Sequence, residues 1–125
     1  MRVPFGLPLV LALVPSLPAF AAPPALTCQA DVVCIAGGDC NALGVEVELD
    51  PEGAGYRATL DAGADVLLSP LGSATGGIVH FNAVSEDGVA VILSIYVDGR
   101  FAMTVQQDLN GPNVETTFGN CKPRS

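Results

Sequence analysis

Tryptophan is missing from this chain, and histidine and lysine occur once each, as His80 and Lys122. A single histidine excludes a multi-histidine metal site. A lone lysine in the C-terminal tail argues against Schiff-base chemistry. Positive charge is scarce throughout: five Lys and Arg stand against thirteen Asp and Glu, a formal net charge of −8. Such a surface repels nucleic-acid phosphates and anionic lipid heads, so neither a nucleic acid nor a membrane surface is expected as a partner. A macromolecular partner is expected to be cationic. No stretch after residue 22 has a helical period, and "TGG" and "GGD" lack the strand and helix context of a nucleotide loop, so those glycines read as turn formers. Cofactors are not expected.

What is present begins with a delivery signal. Arg2 is a minimal basic start, Leu7 to Phe20 is an apolar run, and Ala19-Phe20-Ala21 is a small-x-small cleavage site. Pro4, Pro8, Pro15 and Pro18 each remove a backbone donor, and the unbroken apolar run falls short of the roughly 20 residues that span a bilayer. Residues 1–21 are therefore expected to be a signal peptide and 22–125 a single domain, periplasmic or secreted and monomeric. "ALTC" (Ala25 to Cys28) fits a lipid-attachment box poorly, so no membrane tether is expected after cleavage. Loss of Arg2 moves the net charge to −9 and leaves 104 residues. A core that small needs help.

Period-two alternation dominates from residue 44 onward. "VEVEL" turns Val45, Val47 and Leu49 inward and Glu46 and Glu48 outward, and "YRATL" does the same with Tyr56, Ala58 and Leu60. Val79, Phe81 and Ala83 share a face opposite His80 and Asn82. Val89, Val91, Leu93, Ile95 and Val97 share another, followed by Phe101, Met103 and Val105, then Val114, Thr116 and Phe118. One apolar and one wet face is the mark of an antiparallel sheet. The pattern predicts strands near 26–33, 44–50, 55–61, 64–69, 77–85, 89–97, 100–107 and 113–119. Asp98-Gly99 predicts a two-residue type I′ hairpin turn. "SEDG" (85–88) predicts a slightly longer hairpin, and "DPEGAG" (50–55) and "LNGPN" (109–113) predict Gly/Pro loops. The uncharged "SPLGSATGG" (69–77) is the longest irregular segment. Eight short-linked strands predict an all-β, up-and-down antiparallel barrel, because closure buries the apolar face and removes the sheet edges. A two-sheet β-sandwich is the alternative.

Three cysteines, Cys28, Cys34 and Cys40, are spaced by six, and the fourth is Cys121. Zinc sites pair cysteines two to four residues apart and redox centres use Cys-x-x-Cys, and neither spacing occurs here. An exported chain with a small core is where disulfides are expected. In a closed meander the first and last strands are antiparallel neighbours, so Cys28 meets Cys121. Cys34 lies roughly 20 Å further along an extended strand, beyond the ~7 Å reach of a disulfide to Cys121. Cys34 then pairs with Cys40 across Gly37-Gly38.

The cysteine cluster after the cleavage site, the alternating body and the terminal "GNC" (Gly119 to Cys121) resemble a loose group of short exported four-cysteine β-proteins of Gram-negative bacteria. The resemblance implies a periplasmic or secreted address. It brings no activity and no functional residues.

Residues that carry chemistry are few. His80 falls on the wet face of a strand, and Ser85 and Ser94 are its formal nucleophile partners, but neither lies in a nucleophile elbow. Asp61 and Asp65 flank a turn and read as its caps. Glu46, Glu48, Asp50 and Glu52 alternate on one strand face, which a solvated strand explains and a basic partner would also fit. The chain is therefore expected to be no enzyme but an exported binding or structural module of the cell envelope that recognises a cationic protein, with that acidic stripe as the contact. Inhibition of a cationic hydrolase, such as a lysozyme or a protease, and carriage of a small ligand in the barrel are the alternatives. Inward Val, Leu, Ile, Phe and Met are expected to fill the interior, which counts against a carrier unless a cavity of a few hundred Å³ survives.

Overall fold

The computed structural model describes residue 6 and residues 23–35, 38–59, 65–72, 76–85, 88–108 and 110–124. The expected signal peptide apart from residue 6, and Leu60 and Asp61, lie outside these, as do parts of the 36–39, 69–77 and 85–89 connections.

Eight strands follow one another along the chain: β1 Leu26–Ile35, β2 Cys40–Glu52, β3 Gly55–Thr59, β4 Asp65–Pro70, β5 Ile78–Val84, β6 Ala90–Tyr96, β7 Arg100–Asp108 and β8 Pro112–Pro123. Each pairs antiparallel with the next, and β8 returns to β1, so the sheet is a closed up-and-down barrel. The sandwich alternative is excluded. Along the closing seam Cys28 faces Cys121 and Leu26 faces Pro123, and Arg124 N–H donates to the Ala25 carbonyl at 2.8 Å. Both disulfides form as the spacing requires, Cys28–Cys121 and Cys34–Cys40.

The register on β1 slips between Ala30 and Val32 against both neighbours. Against β8 the extra residue is Asp31, and against β2 it lies on β2, where Leu43 and Gly44 together oppose Asp31. Leu26, Cys28 and Ala30 point inward before it, and Val33 and Ile35 line the interior after it. The slip lets Cys34 sit opposite Cys40, and that pairing extends β2 four residues earlier than the alternation alone indicates.

Turn chemistry departs from the sequence reading at two hairpins. Asp50, Pro51 and Glu52 belong to β2, so the turn is only Gly53-Ala54, with Gly53 at a φ of 59° in the first position. That is the glycine placement of a type II′ turn, which adds right-handed twist. Between β6 and β7 the loop has three residues, Val97, Asp98 and Gly99, rather than a two-residue type I′ turn. Gly99 N–H donates to the Tyr96 carbonyl at 2.9 Å, and only Gly99 has positive φ, at 92°. Three residues with glycine last are what a type I turn plus a G1 bulge requires. Asp98 takes the Arg100 backbone N–H at 3.0 Å and the Arg100 guanidinium at 2.7 Å. That backbone donor, helped by the guanidinium, holds its carboxyl below the usual carboxylate range. Val97, read as inward from its parity, is in this loop and 87% exposed.

A Cβ on Gly99 would also approach the Cys121 carbonyl oxygen to 2.9 Å. Gly99→Val is therefore expected to lower stability by about 2–3 kcal/mol, the sum of left-handed strain and a backbone contact. Thermal melting of the oxidised protein checks this, and an unchanged melting temperature would refute the loop assignment.

Candidate functional site

Barrel interiors are filled by whichever inward side chains reach each layer, and here the two ends differ. At the end holding the Cys28–Cys121 link, Leu49, Leu68, Leu93, Phe101 and the edge-to-face pair Tyr56–Phe81 are all buried. The two rings lie 5.3 Å apart at 69°. Tyr56 Oη donates to the Pro24 carbonyl at 2.8 Å, and burial pushes its phenol up. Large rings close this end.

At the other end valines recur among the inward positions, beside Ile35, Leu43 and Met103, and no aromatic ring lines the wall. Five strands each contribute a valine: Val33, Val45, Val66, Val91 and Val105. Val47, Val91 and Met103, all buried, form the floor. β-branched side chains suit strands but reach less far across a barrel than aromatic ones. The result is a cavity of about 700 Å³ running up to Asp65 and Ser85. The expectation of a filled interior holds at one end only, because none of the buried aromatic rings, Tyr56, Phe81 and Phe101, lines the cavity.

Three polar side chains enter the cavity wall from β7 and β8: Gln107, Glu115 and Thr117. Thr117 faces Met103 and Val33, and Glu115, one layer nearer the mouth, faces Val105 and Ile35. This reverses the parity read for β8, where Val114, Thr116 and Phe118 were placed inside. Phe118 is 44% exposed, and Thr117 is buried. A signal for the correct phase exists in the sequence. Cys121 must face inward to meet Cys28, so Gly119, Thr117 and Glu115 face inward with it. Beside the mouth, a second and shallower depression of about 650 Å³ is lined by Gly88, Asp108, Asn110 and Pro112. Asn113, opposite Gln107, has a buried Nδ2 without a partner there.

The residues singled out from sequence are distributed differently. Glu46, Glu48, Asp50 and Glu52 do share the outer face of β2. Three of them are engaged within the chain. Arg124 Nη2 contacts Asp50 at 2.6 Å and Arg124 Nη1 contacts Glu48 at 3.6 Å. Arg57 holds Glu52 with both a 2.8 Å and a 3.0 Å hydrogen bond, and that bond and charge push its guanidinium up. Glu46 pairs in register with Gln29. His80 lies on the outer face of β5 as its parity indicates, half-buried there, and its Nδ1 lies 2.7 Å from Ser94 Oγ across β5 and β6. Ser94 is mid-strand, paired with His80 on one side and Ala102 on the other. Ser85 Oγ instead accepts the Val89 N–H at 3.1 Å within its hairpin, and Asp65 accepts Thr59 Oγ1 at 3.2 Å. Among the described residues no cluster of His, Cys, Asp and Glu has metal-binding geometry.

No known protein family, no curated protein and no solved structure matches this chain.

Proposed function

We propose that this protein is an exported, non-catalytic binding protein whose barrel holds one small apolar ligand. The observation that carries the reading is the valine-lined cavity of about 700 Å³. Ligand sites are concave, mainly apolar, of roughly 300–1,000 Å³, with a few polar groups that fix orientation. Eight strands leave room for one small ligand when the inward side chains are short. The Cys34–Cys40 link ties β1 to β2 at the cavity end. That rigidity reduces the ordering cost of binding.

Two disulfides belong to an oxidising, exported environment. Arg2, the Leu7–Phe20 run and the Ala19–Ala21 box support cleavage of a signal peptide, and the resemblance to exported four-cysteine β-proteins supports a periplasmic or secreted location. Recognition of a cationic protein or hydrolase through β2 is the weaker reading, since Arg57 and Arg124 already neutralise part of that stripe.

Titration with the neutral, environment-sensitive probe N-phenyl-1-naphthylamine tests the proposal. Saturable one-to-one fluorescence enhancement is expected. Val45→Phe, a half-buried position on the cavity wall, is expected to weaken it at least about tenfold by filling space. Absence of saturable binding, or equal binding by the filled variant, would defeat the proposal.

A further inference from the structure

Resting on the ligand-binding reading above, we infer that the ligand is a cationic amphiphile, with an apolar chain or ring among the valines and an amine or quaternary ammonium head at Glu115. One carboxylate, that of Glu115 on β8, turns into the cavity, and Asp65 on β4 stands at its rim with its side chain on the outer face beside Thr59. In a closed barrel of eight strands β4 and β8 stand on opposite walls. No lysine, arginine or histidine is among the described lining residues. An anionic head entering here would lose its hydration beside a like charge. A protonated amine would gain a charge-assisted hydrogen bond, and a quaternary ammonium an ion pair without one. The Gln107 amide oxygen and the Thr117 hydroxyl supply further acceptors on the same wall.

The charge layout of the whole barrel points the same way. All four basic residues after residue 22 gather at the filled end: Arg57 beside the β2–β3 turn, Arg100 after the β6–β7 loop, and Lys122 and Arg124 at the end of β8. Three of them pair with Glu52, Asp98 and Asp50. The cavity end carries Asp39 before β2 and Asp108 at the end of β7 in addition to Asp65 and Glu115. A cleft lined by one sign of charge with low-dielectric walls concentrates counter-ions at its mouth. The filled end is nearly neutralised and the cavity end is acidic, so the field draws cations to the opening.

The test uses three ligands with one tail: decylammonium, decanol and decanoate, each below its micelle threshold. Each displaces N-phenyl-1-naphthylamine from the oxidised protein at low and at high salt. Decylammonium is expected to compete at about tenfold lower concentration than decanol, and decanoate to be weakest. High salt is expected to shrink that spread. Glu115→Gln, nearly isosteric, is expected to abolish the advantage of the ammonium over the alcohol and leave the alcohol unchanged. Asp65→Asn, at the rim, is expected to reduce the advantage in part, and provides the comparison if Glu115→Gln does not fold. Equal binding of the three heads, tightest binding of decanoate, or an undiminished ammonium preference in the variant would overturn the inference while leaving the apolar cavity reading standing. Failure of the probe and all three ligands to bind would overturn both.

Discussion

Removal of the Cys28–Cys121 link is expected to cost about 4–5 kcal/mol, more than twice the loss from removing Cys34–Cys40. The two bridges close loops of very different length, with sequence separations of 93 and 6. On the chain-entropy account, the long bridge removes far more freedom from the unfolded chain, and the short one is worth about 2 kcal/mol. The location adds to the contrast. Cys28 and Cys121 are both buried and join the first strand to the last, whereas Cys40 is exposed at the cavity end. Without the long bridge, the β1–β8 seam must close by hydrogen bonds and packing alone. Denaturant unfolding of Cys28→Ala/Cys121→Ala and Cys34→Ala/Cys40→Ala double variants, compared with the oxidised parent, measures both losses. Equal losses would mean that loop length does not govern stability here.

Gly119→Val is expected to damage the sheet severely, with a loss of more than about 3 kcal/mol or failure to fold. Gly119 lies opposite Ala30 on β1 and Phe101 on β7. A Cβ there would collide with the Gln29 carbonyl oxygen and come within 2.8 Å of Phe101 Cε1. The ring can shift, but the carbonyl belongs to the neighbouring strand and cannot move without opening the closing seam. Glycine is required here by close approach rather than by a special φ. Asn120→Ala, one residue on and outward, is the control and is expected to stay within about 0.5 kcal/mol of the parent. Soluble yield and thermal melting of the two variants settle the point. A Gly119→Val protein that melts like the control would show that the interior relaxes at this layer.

The two variants probe the filled end, and the ligand titrations probe the open one. This division matters for interpretation. The four valines Val33, Val45, Val66 and Val105 on the cavity wall are only partly buried, whereas Cys28, Leu49, Leu68 and Leu93 are fully buried. Changes to the wall are therefore expected to alter binding with a smaller effect on stability than changes near Phe101.

Alternation in "VEVEL", "VAVILSI" and "FAMTV" is enough to determine strands and their inward faces, because side chains point to opposite faces at every step and only one face can be buried. Eight such strands with short connections, plus a cysteine near each end, also determine closure and the disulfide pairing. Antiparallel neighbours at the seam bring those ends together. The β8 phase was available too, through the parity of Cys121, but the local pattern of "VETTF" favours Phe118 over Glu115 and conceals it. Three things were decided only by the tertiary structure. The bulge at Asp31 depends on β1 meeting two neighbours in register at once, and it alone turns Val33 inward and Cys34 outward. The pairing of Arg57 and Arg124 with the β2 acids depends on β3 and the C-terminal residues arriving beside β2. The cavity depends on which inward residues share a layer. Valines and a glutamate meet across five or six strands at one end while the rings gather at the other, and no local stretch of sequence records that encounter.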